Sequence, residues 1–480
     1  MVLKIHDDRD EGRQKEGPTM SQVLRADAEN KAPAKSNYRW VVMTLIFFVY
    51  TMAAADRANI GIVLPFVKSE FNMTNTEAGA IVSLFFIGYS VAQIPAGFVV
   101  KRFGVRMIFP LFMILTSAFT GLLGTATSAL HMKLNRLALG LAEAPLPVAM
   151  LATMNHWFPP KEKGTAVGIF LSAAKFGPVL VPPIGAVVIA SLGWQYIFFI
   201  CAVPGIIFSV LWYFLVTNDP AQSRFTSSAE VGHIQSASPP ATSDEAGEIP
   251  FASGDGRRKF GWLDRLVRAR TVRPIATVSE TFRSPNIWGL AIGYLMMTGI
   301  INVILAWLPT YLTTVKKFSI LNVGFVAAAP FVGGVLGNLL GGLLSDLVFD
   351  KRRKPTIVIT ALSSVFMMYA LIHAPSDPLL LGGVLFMAGL LLNLGYSSFT
   401  VYPAGLTTKE AYPLAVSVVN TGGQAGGALF PFLTGVILDA YSWDSVFLFL
   451  AASSFIALVV MMFVVEPVED PASGQAAAGR

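Results

Sequence analysis

Two stretches of the chain decide the fold, because they are two copies of one segment. Residues 161–199 are KEKGTAVGIFLSAAKFGPVLVPPIGAVVIASLGWQYIFF, and residues 409–449 are KEAYPLAVSVVNTGGQAGGALFPFLTGVILDAYSWDSVFLF. Chance similarity between apolar helices does not explain why prolines, glycines and tryptophans coincide, so the sequence predicts an internal repeat. At an offset of 249 positions the matching residues are Ala166 with Ala415, Gly177 with Gly426, Pro182 with Pro431 and Trp194 with Trp443.

The composition around the repeat is that of a membrane protein. Hydrophobic residues make up 54% of the 480 positions and charged residues only 13%, whereas soluble domains carry about 25% charged residues. A single cysteine excludes a disulfide framework, and the polar first 39 residues predict no cleavable signal peptide. Apolar stretches of about 20 residues predict membrane-spanning helices. Twelve occur, at roughly 40–63, 77–98, 107–127, 132–154, 164–190, 195–216, 286–312, 321–346, 355–373, 379–403, 414–440 and 444–465.

The distribution of Lys and Arg predicts the orientation in the membrane. With both termini in the cytoplasm, nearly all of the 35 cations fall in the tails and the cytoplasmic loops. The net charge of +6 therefore reflects topology, and no nucleic-acid partner is needed to explain it. The exceptions are Lys68, Lys316 and Lys317 outside, and Arg57, Lys133, Arg136 and Lys175 within the segments.

A polar region divides the twelve segments six and six. Residues 226–256 are rich in Ser, Pro, Gly and acids, which predicts a disordered linker, and residues 257–282 resemble a basic amphipathic helix on the inner leaflet. Two similar six-helix bundles with a site between them are typical of a secondary transporter. The predicted organisation is a cytoplasmic tail 1–39, a bundle 40–216, a cytoplasmic linker 217–285, a bundle 286–465 and a cytoplasmic tail 466–480.

Ionisable residues within the predicted helices are the candidates for function, since each costs roughly 2.5–3.5 kcal/mol at a helix centre. Arg136 and Glu143 lie about two turns apart on one helical face and can line one cavity; alternatively, each neutralises a partner on a neighbouring helix. Lys133, near the outer end, is expected to extend to the interface. The candidates are Asp56, Arg57, Lys133, Arg136, Glu143 and Lys175.

These charges sum to a positive cavity, which favours an anionic substrate. An Arg guanidinium matches a carboxylate with two hydrogen bonds, and a buried carboxylate that gains and loses a proton can couple transport to protons. Lys175 corresponds to Gln424 in the repeat, so it either faces the central cavity or pairs with an acid such as Glu143. Because Lys175 is an additional cation, it suggests a substrate with two negative charges.

Other polar residues repeat at helical spacing. Tyr89 and Gln93 are four apart, as are Asn420 and Gln424, and each pair can contact a substrate or hold helices together. The tenth segment carries a polar face as well, formed by Asn393, Tyr396, Ser397 and Thr400.

Four motifs resemble the anion:cation symporter family of the major facilitator superfamily. They are DRANI (56–60), FFIGYSVAQIPAGF (85–98), RLALGLAEAPLPVAM (136–150) and the AVGIF…PP…GW arrangement (166–194). The resemblance implies an all-α membrane fold of twelve helices in two six-helix bundles. The family includes bacterial carriers of galactonate, hexuronates, glucarate, tartrate and phthalate.

The resemblance also implies roles for individual residues. Asp56 and Glu143 would be the proton-coupling acids. Substrate contacts would come from Arg57, Tyr89, Arg136, Asn420 and Gln424, to which the charge argument adds Lys175. The conformational loop motif would involve Gly97, Arg102, Gly342 and Asp346.

The chain departs from the family pattern at two places. The loop after the second helix has Lys101 and Arg102 but lacks the usual acid, which the later copy keeps as Asp346. The fifth helix lacks the glycine pair of the antiporter signature, which disfavours drug efflux.

The sequence thus predicts a proton-coupled importer of a small organic anion, such as a sugar acid or another carboxylate, in a bacterial inner membrane. We expect a monomer without cofactor or metal, and no enzyme, because neither a nucleophile elbow nor a phosphate-binding loop occurs. One alternative is a proton-driven efflux antiporter of amphipathic compounds. Another is a membrane receptor whose linker binds a partner.

Overall fold

The computed structural model describes residues 36–236, 268–270, 272–349, 352–408 and 410–467. Nearly all of these residues are helical, and two short strands, β1 (Ala269–Arg270) and β2 (Glu466–Pro467), pair in parallel. The long helices of the described residues are α1 (Tyr38–Glu70), α2 (Asn75–Phe103), α3 (Val105–Leu123), α4 (Ala129–Trp157), α5 (Pro160–Ser191), α6 (Gln195–Leu215), α7 (Pro285–Thr314), α8 (Ile320–Leu343), α9 (Lys354–Ala370), α10 (Pro378–Asn393), α11 (Tyr412–Ala440) and α12 (Trp443–Phe463).

Membrane-spanning length and hydropathy are found in eleven helices of the described ranges. The remaining long helix, α11, has 29 residues but carries Asn420, Thr421, Gln424 and several glycines in its middle. An all-α, multi-pass membrane protein is therefore confirmed.

The two repeat copies make equivalent contacts. A Cβ on Gly177 of α5 would overlap the backbone of Ala55 in α1, and a Cβ on Gly426 of α11 would overlap the backbone of Leu295 in α7. Each repeat helix therefore packs against the first helix of its own half, at a distance that only glycine permits.

The halves meet closely at one face of the molecule, here called the closed face. There the carbonyl of Pro182 in α5 contacts Gly324 of α8, and its repeat equivalent Pro431 in α11 contacts Gly79 of α2. The Asp439 carboxylate of α11 also accepts hydrogen bonds from the backbone N–H groups of Asn75 and Thr76. Backbone contact and a helix cap from the opposite half thus hold this face shut.

The opposite face, where residues 36 and 467 lie, is here called the open face. A Cβ added to Gly97 of α2, Gly168 of α5 or Gly342 of α8 would meet no heavy atom within 4 Å. Toward the open face, these glycines of α2, α5 and α8 therefore make no close helix contact of the kind seen at the closed face.

The linker begins with an ordered segment. The sequence predicts disorder from residue 226, but the structure has a helix, Ser228–Ser236, so this prediction is wrong for these residues. The reason is Glu230, whose carboxylate binds Ser36, the backbone N–H groups of Tyr38 and Arg39, and the Arg39 guanidinium. Burial acts to raise the pKa of Glu230, but these hydrogen bonds outweigh it and hold the pKa below its usual value.

The end of the linker is attached to the C-terminal half. Strand β1 pairs with β2, and the backbone of Ile275 bonds to that of Leu406 and Thr408. The amphipathic helix predicted at 257–282 lies partly outside the described residues; within them a strand and a short helix, Val278–Arg283, replace it. Pro274 and the capping box of Thr277 explain why a new helix starts there.

Replacing Asp439 with Asn is expected to loosen the closed face, because the caps of α2 lose a charge-assisted bond worth about 1.5–3 kcal/mol. The measurement is electron–electron resonance between spin labels on Thr127 and Lys317, exposed positions in the two halves, with Cys201 replaced by Ser. A longer distance should appear in Asp439→Asn.

The matched control for this prediction is Asp377→Asn. Asp377 caps α10 by accepting N–H bonds from Leu379 and Leu380, within its own half. Its replacement should leave the distance between the labels unchanged. An identical response of the two variants would contradict a lock between the halves.

Candidate functional site

Asp56 and Arg57 are neighbours in α1 but face different environments. Asp56 is 2% exposed and points into the N-terminal half, where Asn59, Thr120 of α3 and Cys201 of α6 lie close to its carboxylate. Arg57 points toward α2 and α4, with its guanidinium 4.9 Å from the ring centre of Tyr89. The difference follows from the 100° rotation between successive helical residues.

Arg57 and Glu143 form an ion pair at the centre of the molecule. The Arg57 Nε and one terminal nitrogen both lie 2.7 Å from Glu143 Oε1. Glu143 is completely buried and its Oε2 has no hydrogen-bond partner, whereas the Arg57 side chain keeps 23% exposure. The pair therefore presents the cation, and not the acid, to the cavity.

A helix break positions Glu143. Helix α4 is interrupted at Ala144, one residue after Glu143. Pro145 and Pro147 cannot donate N–H bonds to the preceding turn, so the carbonyls of Leu141 and Glu143 lose their usual donors. The acid therefore sits at the end of a helical half, and this irregular backbone is tolerated because it is buried in protein.

Arg136 is placed behind this pair. It is 1% exposed, donates to the backbone carbonyl of Asp56 at 3.2 Å and lies 4.8 Å from the ring centre of Phe85. Its Nε has no partner. In this conformation Arg136 joins α4 to α1 and does not reach the cavity surface, so its substrate-binding role stays a prediction.

Lys175 of α5 crosses to the C-terminal half. Its ammonium donates to Asn393 Oδ1 of α10 at 3.3 Å and lies 4.6 Å from the ring centre of Tyr396. Of the two arrangements that the sequence left open, the structure has the one facing the centre, since Glu143 is bound to Arg57.

Asn420 and Gln424 of α11 are half-buried and, within the described residues, have no hydrogen-bond partner. They share a helical face with Gly427, which packs on Phe86 of α2. This face of α11, which also carries Asn420 and Gln424, therefore points to the N-terminal half. Their role as substrate contacts stays a prediction.

Two tyrosines at the centre escaped the sequence analysis. Tyr50 stacks on Phe170 with ring centres 4.1 Å apart, and Arg57, Tyr89 and Glu143 lie within its electrostatic reach. Tyr294 donates a hydrogen bond to Tyr396 at 3.0 Å. The only signal in the sequence is a tyrosine within an apolar helix. Such a tyrosine is explained equally well by aromatic packing as by a role in a site.

The loop motif residues lie at the open face and differ between the halves. Asp346 forms an ion pair with Arg353 at 3.0 Å, in a π-helical turn that follows Gly342. In the first half, Arg102 is exposed and stacks over Phe103, near Gly97. Among the described residues, only the second copy of the motif forms this ion pair, because the first copy lacks the acid.

Several bacterial transporters resemble this chain along most of its length. It is 25% identical over 458 residues to a probable galactarate/D-glucarate transporter of Bacillus subtilis, covering 93% of this chain and 96% of that protein. It is 26% identical over 439 residues to a D-galactonate transporter of Escherichia coli O6:H1, covering 90% and 96%.

Solved structures share its fold. A bacterial homologue of the human lysosomal transporter Spinster, in an inward-facing and unoccupied conformation, superimposes with a TM-score of 0.70 at 17% identity, covering 90% of this chain and 98% of that one. A D-xylose–proton symporter gives 0.67 at 16% identity, covering 91% and 99%.

The family comparison completes the assignment. The sequence profile of the Major Facilitator Superfamily matches residues 46–390 and 317–480. Together with the helical membrane fold and its two equivalent halves, this match identifies a transporter and excludes an enzyme. The chain belongs to the major facilitator superfamily.

Proposed function

We propose that this protein imports a small organic anion, a sugar acid or a similar carboxylate, together with protons across a bacterial inner membrane. The observation that carries the proposal is the ion pair of Arg57 and Glu143 at the cavity surface. The names of the relatives, carriers of galactarate, glucarate and galactonate, support the class of substrate.

The geometry of the ion pair suggests how protons and anion are coupled. Glu143 occupies the guanidinium edge that a substrate carboxylate would use. Protonation of Glu143 removes its charge, and the Arg57 guanidinium is then left in a low-dielectric site without a counter-ion. An incoming anion restores neutrality, so proton and anion bind together.

The empty carrier returns by the reverse exchange. When the anion leaves, Arg57 regains Glu143 as the acid releases its proton, and the ion pair is neutral as a unit. A neutral site has a lower cost of closure than an uncompensated charge. The carrier therefore changes conformation with both proton and anion bound or with neither bound. It does not carry protons alone.

Asp56 is proposed as a second proton site. It is buried next to Arg136, whose guanidinium bonds to the Asp56 backbone carbonyl. Arg136 would hold the α1–α4 contact in register while either acid changes its charge. The fully enclosed position of Asp56 requires a rearrangement before its proton reaches water.

The proposed orientation supports import as the direction of transport. The first and last described residues lie at the open face, beside the starts of α5 and α9, and the excess of Lys and Arg in the loops on that side supports its assignment to the cytoplasm. The structure would then be the inward-open state, from which proton and anion are released into the cell. The carrier works as a monomer, since one chain supplies both halves of the site.

Replacing Arg57 with Ala is expected to lower uptake at least about 100-fold, because a carboxylate loses charge-assisted bonds worth about 1.5–3 kcal/mol each. The assay is uptake of labelled galactarate and galactonate into proteoliposomes with an imposed inward proton gradient. Arg106→Gln is the matched control, since Arg106 also lies over a tyrosine, 5.3 Å from the ring centre of Tyr213, but far from the cavity.

The Arg57 experiment also separates import from efflux. An efflux antiporter of amphipathic compounds would show no gradient-driven uptake of any acid and would tolerate Arg57→Ala. That outcome would refute the proposed function and favour the antiporter.

Replacing Glu143 with Gln is expected to uncouple transport from protons. The amide keeps the shape of the site but leaves Arg57 free at every pH, so exchange of substrate across the membrane should continue while accumulation under a proton gradient stops. Anion affinity of the parent should rise as pH falls from 8 to 5, because protonation frees Arg57, and the variant should show a flat profile.

Glu77→Gln is the control for the Glu143 experiment. Glu77 pairs with Lys133 at the closed face, 2.9 Å away, and takes no part in the cavity. Its replacement should preserve accumulation. Persistent accumulation in Glu143→Gln would remove this acid from the coupling mechanism.

A further inference from the structure

Lys175 is the central cation whose contacts are all neutral. Arg57 is bound to Glu143, and Arg136 lies within electrostatic reach of both Glu143 and Asp56. Lys175 contacts an amide oxygen and an aromatic ring, and among the described residues no carboxylate lies within ion-pairing distance. A half-buried ammonium within a membrane-spanning helix is unfavourable without a counter-ion, unless a ligand supplies the charge.

The surroundings of Lys175 are fixed by the C-terminal half. The Asn393 amide nitrogen donates to the Gly389 carbonyl at 2.9 Å, so its oxygen faces Lys175, and the Asn393 side chain packs on Gly334. Tyr396 is held by the hydrogen bond from Tyr294. Asn393 and Tyr396 are therefore held in position by contacts within their own half, independently of Lys175.

Lys175 and Arg57 lie at different depths along two packed helices, α5 and α1. Thr51 of α1 bonds to the Ala173 carbonyl of α5, and Gly177 packs on Ala55, so the two helices run in parallel with matched register. Lys175 is thus level with residue 53 of α1. Arg57 lies four residues further, roughly 6 Å along the axis at 1.5 Å per residue.

We propose that Lys175 and Asn393 form a second carboxylate subsite, so that the preferred substrate is a dicarboxylate bridging Arg57 in one half and the Lys175–Asn393 pair at the interface. This inference rests on the proposed function, which concerns only the first carboxylate. The second carboxylate gives Lys175 its counter-ion and can accept a charge-assisted hydrogen bond. A monoacid of the same skeleton leaves that cation with neutral contacts only.

Matched acids test the proposal directly. Binding of galactarate and galactonate, and of glucarate and gluconate, is measured by calorimetry at pH 7 on the purified full-length parent, Lys175→Gln and Lys175→Arg. The parent should bind each diacid at least 10-fold more tightly than its monoacid. Lys175→Gln should lose at least 10-fold for the diacids and stay within twofold for the monoacids, while Lys175→Arg retains the preference.

The monoacids report that Lys175→Gln is folded, and Lys133→Gln provides a matched control. Lys133 lies near the start of α4 and already has a carboxylate partner in Glu77. Its replacement should therefore change the affinity for neither the diacids nor the monoacids. Equal loss for both acids in Lys175→Gln, or a parent without preference for diacids, would overturn the second subsite while leaving the proposed function intact. Absence of binding to all four acids by the parent would overturn both.

Discussion

A charge placed in a low-dielectric interior needs a partner, and the pair of Arg57 and Glu143 meets this need at the centre of the protein. Much of the surrounding structure supports the pair. The break in α4 at Ala144 places the acid, and the small residues of α1 allow close packing on α5. Arg136 holds α4 against α1 from behind. The pair is asymmetric, since only its cation is partly exposed, and under the proposed function an anion competes with Glu143 for it.

The two halves are built to move against one another. Their contacts at the closed face are backbone carbonyls on glycines and a carboxylate on a helix end, and both kinds can separate without unfolding a helix. The ends of the linker are attached to separate halves, through Glu230 on one side and β1 on the other. Each half therefore moves with its own surface segments, as rocking of rigid bundles requires.

The sequence was sufficient to predict the fold and that the chain is a transporter. Apolar length is a local signal, so the helices could be predicted. The partner of Arg57 could not be predicted, because the spacing lets either acid, Asp56 or Glu143, meet a cation, and only the packing of α2 and α4 selects Glu143. Tyr50 and Tyr294 were missed because an aromatic residue in an apolar helix is ambiguous.

Prediction also failed where a single long-range contact decides the structure. Nothing in the composition of residues 226–236 distinguishes them from a flexible linker. They are ordered because Glu230 meets the first backbone N–H groups of α1, almost two hundred residues earlier in the chain. Lys175 is a similar case, since its amide partner lies in the other half of the molecule.

The location of Asp439 has a consequence for how the carrier can evolve. Asp439 joins the halves at the rim, whereas the Arg57–Glu143 pair lies wholly within one half. Under the proposed function, closure and ligand recognition therefore depend on different residues. A change at the rim alters the fraction of molecules that can bind, and so scales the apparent affinity for every ligand by one common factor. Substrate preference and turnover can consequently be adjusted by selection almost independently, which suits a scaffold that carries many different acids.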